Sequence, residues 1–390
     1  MKKIAVIADD LTGANDAGSQ VFLQGYTCCS LNSTGLKQGK LVDVPVYNSS
    51  TRLLNGKKAY AKVKKMVLSL SEYDLIYKKT DSTLRGNIGQ EIDGCVDALR
   101  TNKAAFVTAL PALKRCSVYG RLFLDSDVIE NTEFALDALN PVLTSNIIEL
   151  LKNQSKYCPV LVEIDIIRKG SEAVLSFIEK QVEYNGKKTV IFVFDCISNT
   201  DLEIISKSLK GFRVIAGASA LVKYLLKKKK RKKFKPEINI EAGQAFFIGS
   251  MKKITHEQLS LFKDYMGKEK FDPSNRRMTK QRTVIFSVKK TSKAVYDKAE
   301  GKRIDGKFAK EAVKLFKERG YGKLVLSGGA TAENIFKALN INFTEITGSI
   351  LSGIPLTYSP EINLYVVTKP GGYGDKNALI TIFKRLKELQ

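Results

Sequence analysis

Short apolar runs rich in β-branched residues alternate with amphipathic stretches of helical period along nearly the whole chain, and this alternation restricts the architectures open to it. Residues 3–8, 75–78, 105–109, 160–164, 189–194 and 213–216 read as strands in the first half, and 244–248, 283–288, 323–327 and 363–368 in the second. Helical spacing follows several of them, as with Leu202, Ile205 and Leu209, with Ala312, Leu315 and Phe316, and with Ala378, Ile382 and Leu386. Repeated strand–helix units predict parallel sheets with right-handed crossovers, and ligands sit beyond the carboxyl ends of such strands. At 390 residues the chain exceeds one comfortable core, so the expected fold class is α/β, as two α/β domains with largely parallel sheets.

One stretch breaks the alternation. Lys227, Lys228, Lys229, Lys230, Arg231, Lys232 and Lys233 run into Phe234, Lys235 and Pro236. Like charges repel and proline cannot continue a helix, so a helix end leading into an exposed linker is expected there. The predicted division is a first domain over 1–228, a basic linker over 229–241 and a second domain over 242–390. The formal charge of +24 invites a polyanionic partner. Outside the linker, however, the lysines are scattered and lack the interleaved aromatics of a nucleic-acid footprint, so no nucleic acid is expected. No apolar run reaches membrane-spanning length, and Asp9 and Asp10 interrupt the N-terminal one. Six cysteines without CxxC spacing point to a reduced, cytoplasmic setting and not to a disulfide framework.

The unusual residues fall at strand ends. Asp9 and Asp10 follow the first strand and precede the Thr12-Gly13 turn into a helix. Two adjacent carboxylates there can bind hydroxyls, hold Mg2+ or take a proton, whereas capping the helix needs only one of them. The phosphatase reading of such a start requires a second aspartate two positions on, and Leu11 and Thr12 stand there instead. Lys79, Asp81 and Arg85 follow another strand, and Arg52 follows the polar segment Asn48-Ser49-Ser50-Thr51. Their cations suit a small carboxylate, with Asp81 ordering them or gripping a hydroxyl. Two glycine-rich strand ends, Ser327-Gly328-Gly329-Ala330-Thr331 and Lys369-Pro370-Gly371-Gly372-Tyr373-Gly374, place backbone N–H groups where phosphate binds. Neither has the Walker spacing. His256 has no second histidine beside it and reads as an exposed helix residue, whereas Ser250 sits directly after a strand.

With these motifs in place, the sequence resembles the four-carbon acid sugar kinase family. The likeness runs nearly end to end, through residues 8–16, 48–52, 79–87, 111–120, 140–145, 193–195, 249–258, 327–331, 353–355 and 368–374. Its most specific parts are the ADDLTGA and DSTLRGN segments. The resemblance implies an N-terminal acid-sugar domain and a C-terminal ATP domain with the active site in the cleft between them. It also implies transfer from ATP, with Mg2+, to the terminal hydroxyl of D-threonate, D-erythronate or a 3-oxo-tetronate. Asp9, Asp10, Arg52, Lys79, Asp81 and Arg85 would line the acid site, with Asp10, then Asp9, as catalytic base and Asp375 as a further choice. Ser250, Gly328, Gly329, Ala330, Thr331, Lys369, Gly371 and Gly372 would line the nucleotide site, with Lys369 offsetting phosphate charge. Ala330 stands where the family usually carries an acidic residue, Ser349 where glutamate is common, and Lys114 where a glycine is frequent. A non-catalytic metabolite sensor on the same scaffold is the second reading, and a nucleic-acid-binding protein using the linker the third. Homo-oligomerisation is left open.

Overall fold

In the structure, a computed structural model that describes residues 3–137, 139–230, 243–269, 283–288 and 298–389, the chain divides into two compact units, Met1–Arg231 and Lys232–Gln390. The first is built on strands β1 (Ile4–Ala8), β2 (Cys29–Leu31), β3 (Val46–Asn48), β4 (Leu75–Lys79) and β5 (Lys103–Val107). A small antiparallel sheet of β6 (Arg115–Val118), β7 (Arg121–Leu124) and β8 (Asp127–Val128) follows, then β9 (Cys158–Val162), β10 (Val190–Phe194) and β11 (Val214–Gly217). The main strands lie in the order β2-β3-β1-β4-β11-β5-β10-β9, every described pair parallel. Helices α1 (Leu11–Leu23), α2 (Gly56–Leu68), α3 (Ile88–Leu99), α4 (Ile147–Gln154), α5 (Ile164–Ile167), α6 (Ser171–Asn185) and α7 (Asn199–Ser208) make the connections. Strands covered on both faces need no polar alternation, which is why β1 and β10 read IAVIA and VIFVF and are buried throughout.

Because β1 lies between β3 and β4, the chain leaves it toward both sides of the sheet, and a crevice opens at such a reversal. The register aligns the strand ends: Ala8 pairs with both Asn48 and Lys79, and Lys79 also with Gly217. Residues 9, 49 and 80 therefore emerge at one level.

The second unit carries β12 (Gly243–Ile248), β13 (Thr283–Ser287), β14 (Tyr321–Ser327), β15 (Phe343–Leu351), β16 (Ile354–Ser359) and β17 (Leu364–Lys369), with helices α8 (Lys253–Glu269), α9 (Lys298–Arg319), α10 (Gly329–Ala338) and α11 (Ala378–Lys387). Its strands order β13-β12-β14-β17-β16-β15; the first four are parallel and the last two antiparallel. Phe246, Phe262 and Phe383 pack together, with ring centroids 4.7–6.4 Å apart. Here Ile248 pairs with Ser327, and Ser327 with Lys369, so three further loops start level with one another.

All ten strands expected from the sequence form, with ends shifted by one or two residues. The expected linker begins inside the first unit, because Lys229 donates its N–H to the Gln24 carbonyl (2.9 Å) and lies over the Tyr26 ring. The rest of that expectation, 231–241, lies outside the described residues. Among the described residues no helix is long and apolar enough to cross a membrane.

Candidate active site

In the first unit the aligned strand ends bring together charged side chains that the sequence separates by up to 76 positions. Asp10 caps α1: its Oδ1 accepts the Gly13 N–H (2.7 Å) while its Oδ2 accepts the Thr12 hydroxyl (2.9 Å) and Arg52 Nη1 (2.5 Å). Asp9, only 2% exposed, receives both sides of the Arg52 fork, from Nε at 2.7 Å and Nη2 at 2.8 Å. A buried carboxylate must be paired to stay charged, and the planar guanidinium does this in two directions at once. Burial resists ionisation of Asp9, but Arg52, with Lys78 and Lys79, prevails and holds its carboxyl below the usual range. Arg52 was expected to face a ligand carboxylate; the structure commits most of its fork to Asp9 and Asp10.

Gly13 makes this geometry possible. A Cβ there would lie 2.6 Å from Asp10 Oδ1 and 3.3 Å from Lys79 Nζ, so only glycine lets the lysine tip approach the helix start. Lys79 Nζ donates to the Thr80 carbonyl (2.8 Å), and beneath it Lys78 pairs with Glu91 at 2.6 Å, both fully buried. Asp16, also buried, is pushed up by desolvation against the counteracting charge of Lys79. Asp81 accepts the N–H and hydroxyl of Thr83 at 3.0 and 2.9 Å and pairs with Arg85. Desolvation opposes its charge as well, but Arg85 and Arg52 hold it far below the carboxylate range. Ser50 (φ 48°) and Leu84 (φ 63°) adopt left-handed backbone in these loops, and strain of that kind gathers at sites whose surroundings over-determine them.

Three partners were not assigned from the sequence. Arg115 of β6 donates to Ser82 Oγ (2.5 Å), and the Phe134 ring lies 5.7 Å from its guanidinium and 5.3 Å from that of Arg85. Asp137 contacts Arg85 Nη1 at 3.0 Å. The result is a set of fixed cations and carboxylates, able to hold an acid group and several hydroxyls.

In the second unit the N–H groups of Gly249 and Ser250 both reach the Ser327 carbonyl at 3.0 Å, and the Gly328 N–H reaches the Lys369 carbonyl at 3.0 Å. The loops after β12, β14 and β17 are thus stitched to one another. Thr255 Oγ1 donates to the Gly371 carbonyl (2.7 Å) and lies 3.1 Å from Ser250 Oγ. Gln258 Nε2 reaches the carbonyls of Tyr373, Gly374 and Asp375. A Cβ on Gly371 would come within 2.2 Å of Ser250 Oγ, and one on Gly249 within 2.0 Å of Thr331 Oγ1. The left-handed glycines of these loops are Gly328 (φ 114°) and Gly374 (φ 82°). Gly328 also caps α10 without a side chain, so the first-turn N–H groups of Gly329, Ala330 and Thr331 present an uncapped, positively polarised helix end. Lys369 was expected to line the nucleotide site and offset phosphate charge. It is fully buried, donates to the carbonyls of Pro370 and Gly371, and is pushed down to about 7 by desolvation. Gly372 is half-buried, Asp375 exposed, and His256 half-exposed on α8.

Residues 4–225 match the model of a sugar-binding N-terminal domain, and residues 269–379 that of a nucleotide-binding C-terminal domain. The first match alone covers more than half of the chain. The chain belongs to the four-carbon acid sugar kinase family. It is accordingly a sugar-acid kinase. A D-erythronate kinase of Heliobacterium modesticaldum is 32% identical over 66% of this chain and 60% of its own length. A D-threonate kinase of Salmonella typhimurium is 25% identical over 99% of both chains. A crystallised Salmonella typhimurium LT2 protein, 20% identical, shares the fold with a TM-score of 0.81 over 99% of this chain and all of its own.

The residues present fit the phosphates that a kinase of this family must hold. The uncapped start of α10 offers N–H donors, and the close glycine contacts leave no room for side chains between the loops. Among the described residues no group of three His, Cys, Asp or Glu side chains is arranged to hold a metal ion.

Proposed function

We propose that the protein transfers the γ-phosphoryl group of ATP to the terminal hydroxyl of a four-carbon aldonate-type acid. One contrast carries the reading: a cluster of paired arginines, lysines and aspartates at the strand ends of the first unit, and a cluster of backbone N–H donors at those of the second. The first suits a small polyhydroxy acid and the second a polyphosphate. An Mg2+ ion travelling with ATP would neutralise charge on the transferred group.

Lys79 and the outer face of Arg85 would bind the carboxylate, and Asp81 and Asp9 would accept hydroxyl hydrogen bonds. Arg52 acts mainly by fixing Asp9 and Asp10 in their orientations. In the reaction the terminal hydroxyl oxygen bonds to the γ-phosphorus and the bridge to the β-phosphate breaks, releasing ADP. The hydroxyl proton goes to a protein carboxylate and then to solvent. Asp10 is the proposed acceptor: hydrogen bonds fill three of its about four lone-pair sites, leaving one for a substrate hydroxyl. Ser250, Gly328, Gly329, Ala330, Thr331, Gly371 and Gly372 would surround the phosphates, and Lys369 would brace their loop from below. A cytoplasmic setting suits ATP as the donor, and a homo-oligomer is compatible with the reading and measurable by light scattering.

An ADP-release screen over three- to six-carbon aldonic and ketoaldonic acids, with neutral polyols of equal length as controls, tests the proposal. Turnover confined to four-carbon acids is the expected result. Equal turnover of the polyols would remove the carboxylate-binding role, and ATP binding without turnover of any acid would favour a metabolite sensor.

A further inference from the structure

The two carbonyls that open the turn after β17 are both held from the buried side. Thr255, wholly buried in the first turn of α8, donates its hydroxyl to the Gly371 carbonyl at 2.7 Å. Lys369 Nζ reaches the same carbonyl at 3.3 Å and that of Pro370 at 3.2 Å, and the Pro370 carbonyl also accepts the Tyr373 N–H at 3.2 Å. A threonine hydroxyl has a single proton, and Thr255 directs it at Gly371. In its 3.1 Å contact with Ser250 Oγ the serine is therefore the donor. The result is a one-way relay from Ser250 through Thr255 to the Gly371 carbonyl. A planar trans peptide sets each carbonyl opposite the next N–H, and no peptide among the described residues is cis. Carbonyls pinned on the buried side thus turn the N–H groups of Gly371 and Gly372 the other way, and both of these residues are only half-buried.

We propose that Thr255 is a positioning residue of the nucleotide site: with Lys369 beneath the turn, it fixes two successive N–H donors, those of Gly371 and Gly372, towards the phosphates. This rests on the function proposed above. Successive N–H groups on one side of a turn form an anion-binding concavity. Ser250 borders both this turn and the start of α10, since its Oγ lies 2.2 Å from where a Gly371 Cβ would stand and its N lies 3.2 Å from where a Gly328 Cβ would. The concavity and the uncapped helix end therefore adjoin, and one polyphosphate can span them. The relay also gives Ser250 a different part. Its proton points into the protein, so it supports Thr255 and offers a ligand lone pairs instead of a donor. Without the hydroxyl at position 255, the Gly371–Gly372 peptide keeps only its longer contact with Lys369. It can then rotate, which swings the Gly372 N–H away from the ligand.

The test is Thr255→Val, which keeps the shape and removes the hydroxyl, with Thr255→Ser as the hydroxyl-retaining companion. Calorimetry should show ADP and pyrophosphate each bound about three- to tenfold more weakly by Thr255→Val, the loss expected when one buried neutral hydrogen bond goes. Thr255→Ser should bind both as the wild type does. In turnover, KM for ATP should rise while KM for the acid holds, a split that a general loss of stability would not give. Unchanged affinity for both ligands in folded Thr255→Val, or an equal loss in Thr255→Ser, overturns the proposal. Amide NMR of the wild type supplies an arm that needs no variant. Pyrophosphate should shift the amide protons of Gly371 and Gly372, and amides that do not respond overturn the proposal as well. Only the KM split needs an acid. If no four-carbon acid is turned over, the function proposed above fails on its own, and the calorimetry and NMR still decide the role of Thr255. A wild type that binds neither ADP nor pyrophosphate removes both.

Discussion

Asp10→Asn separates the roles that the structure places on one side chain. The asparagine keeps the bond from the Gly13 N–H, and asparagine and aspartate are comparable N-caps, so α1 should start where it does now. What disappears is the charged contact with Arg52 Nη1 at 2.5 Å, where the new amide would set donor against donor. A hydrogen bond to a charged group contributes about 1.5–3 kcal/mol. The lower part of that range applies, because Arg52 is 15% exposed and keeps its fork on Asp9. Asp10→Ala should destabilise by about 1 kcal/mol more through the lost cap. If Asp10 takes the substrate proton, kcat should fall by about 10²–10⁴-fold, with little change in KM for the acid. Steady-state kinetics beside urea unfolding of both variants reads the two effects separately. A kcat within about threefold of wild type, far short of that loss, would refute the proton-acceptor role. A raised KM with kcat intact would make Asp10 the support of Arg52 instead.

Other perturbations probe the second unit and the core. Gly371→Ala should weaken ATP binding by about tenfold, since its Cβ meets Ser250 Oγ at 2.2 Å and overpacking of this size costs about 1–3 kcal/mol. Adding Ser250→Ala should recover part of the loss by calorimetry; unchanged affinity in the single variant would remove Gly371 from the site. Burial pushes the Lys369 amine down to about 7 in the folded chain, below its ordinary value of 10.5, so between those values the unfolded chain carries a proton that the folded one lacks. Stability should therefore rise with pH across that window in the wild type relative to Lys369→Met, and parallel denaturation curves at pH 7 and 9.5 would contradict the burial of this amine. Glu91→Gln leaves Lys78 charged in a dry interior and should cost about 3–5 kcal/mol, most of it recovered by Lys78→Met in the same chain. Thermal unfolding of the three proteins checks the cycle.

Strands such as β1 and β10 were legible because burial on both faces leaves an uninterrupted apolar run. The antiparallel pair β15 and β16 was not: Thr344, Thr347, Gly348 and Ser349 interrupt the pattern of β15, several of whose side chains are half-exposed. Three-residue strands such as β2 and β3 give too short a signal for any period. At the site, Asp9, Asp10, Lys79 and Asp81 announced themselves by following strands. Arg115, Phe134 and Asp137 did not, because they reach Ser82 and Arg85 from 33 to 52 residues away and carry no local pattern of their own. Lys369 closes β17, but its burial was not readable, because its Nζ folds back onto the carbonyls of Pro370 and Gly371 and no local pattern announces that.

Gln258 holds a different kind of consequence. Its amide nitrogen carries two hydrogens yet lies 2.8–3.2 Å from three successive carbonyls, those of Tyr373, Gly374 and Asp375. Two protons facing three acceptors leave at least one N–H forked between two carbonyls. One side chain of α8 thus spans the whole glycine-rich turn, so truncating it would take a donor from three successive backbone carbonyls at once.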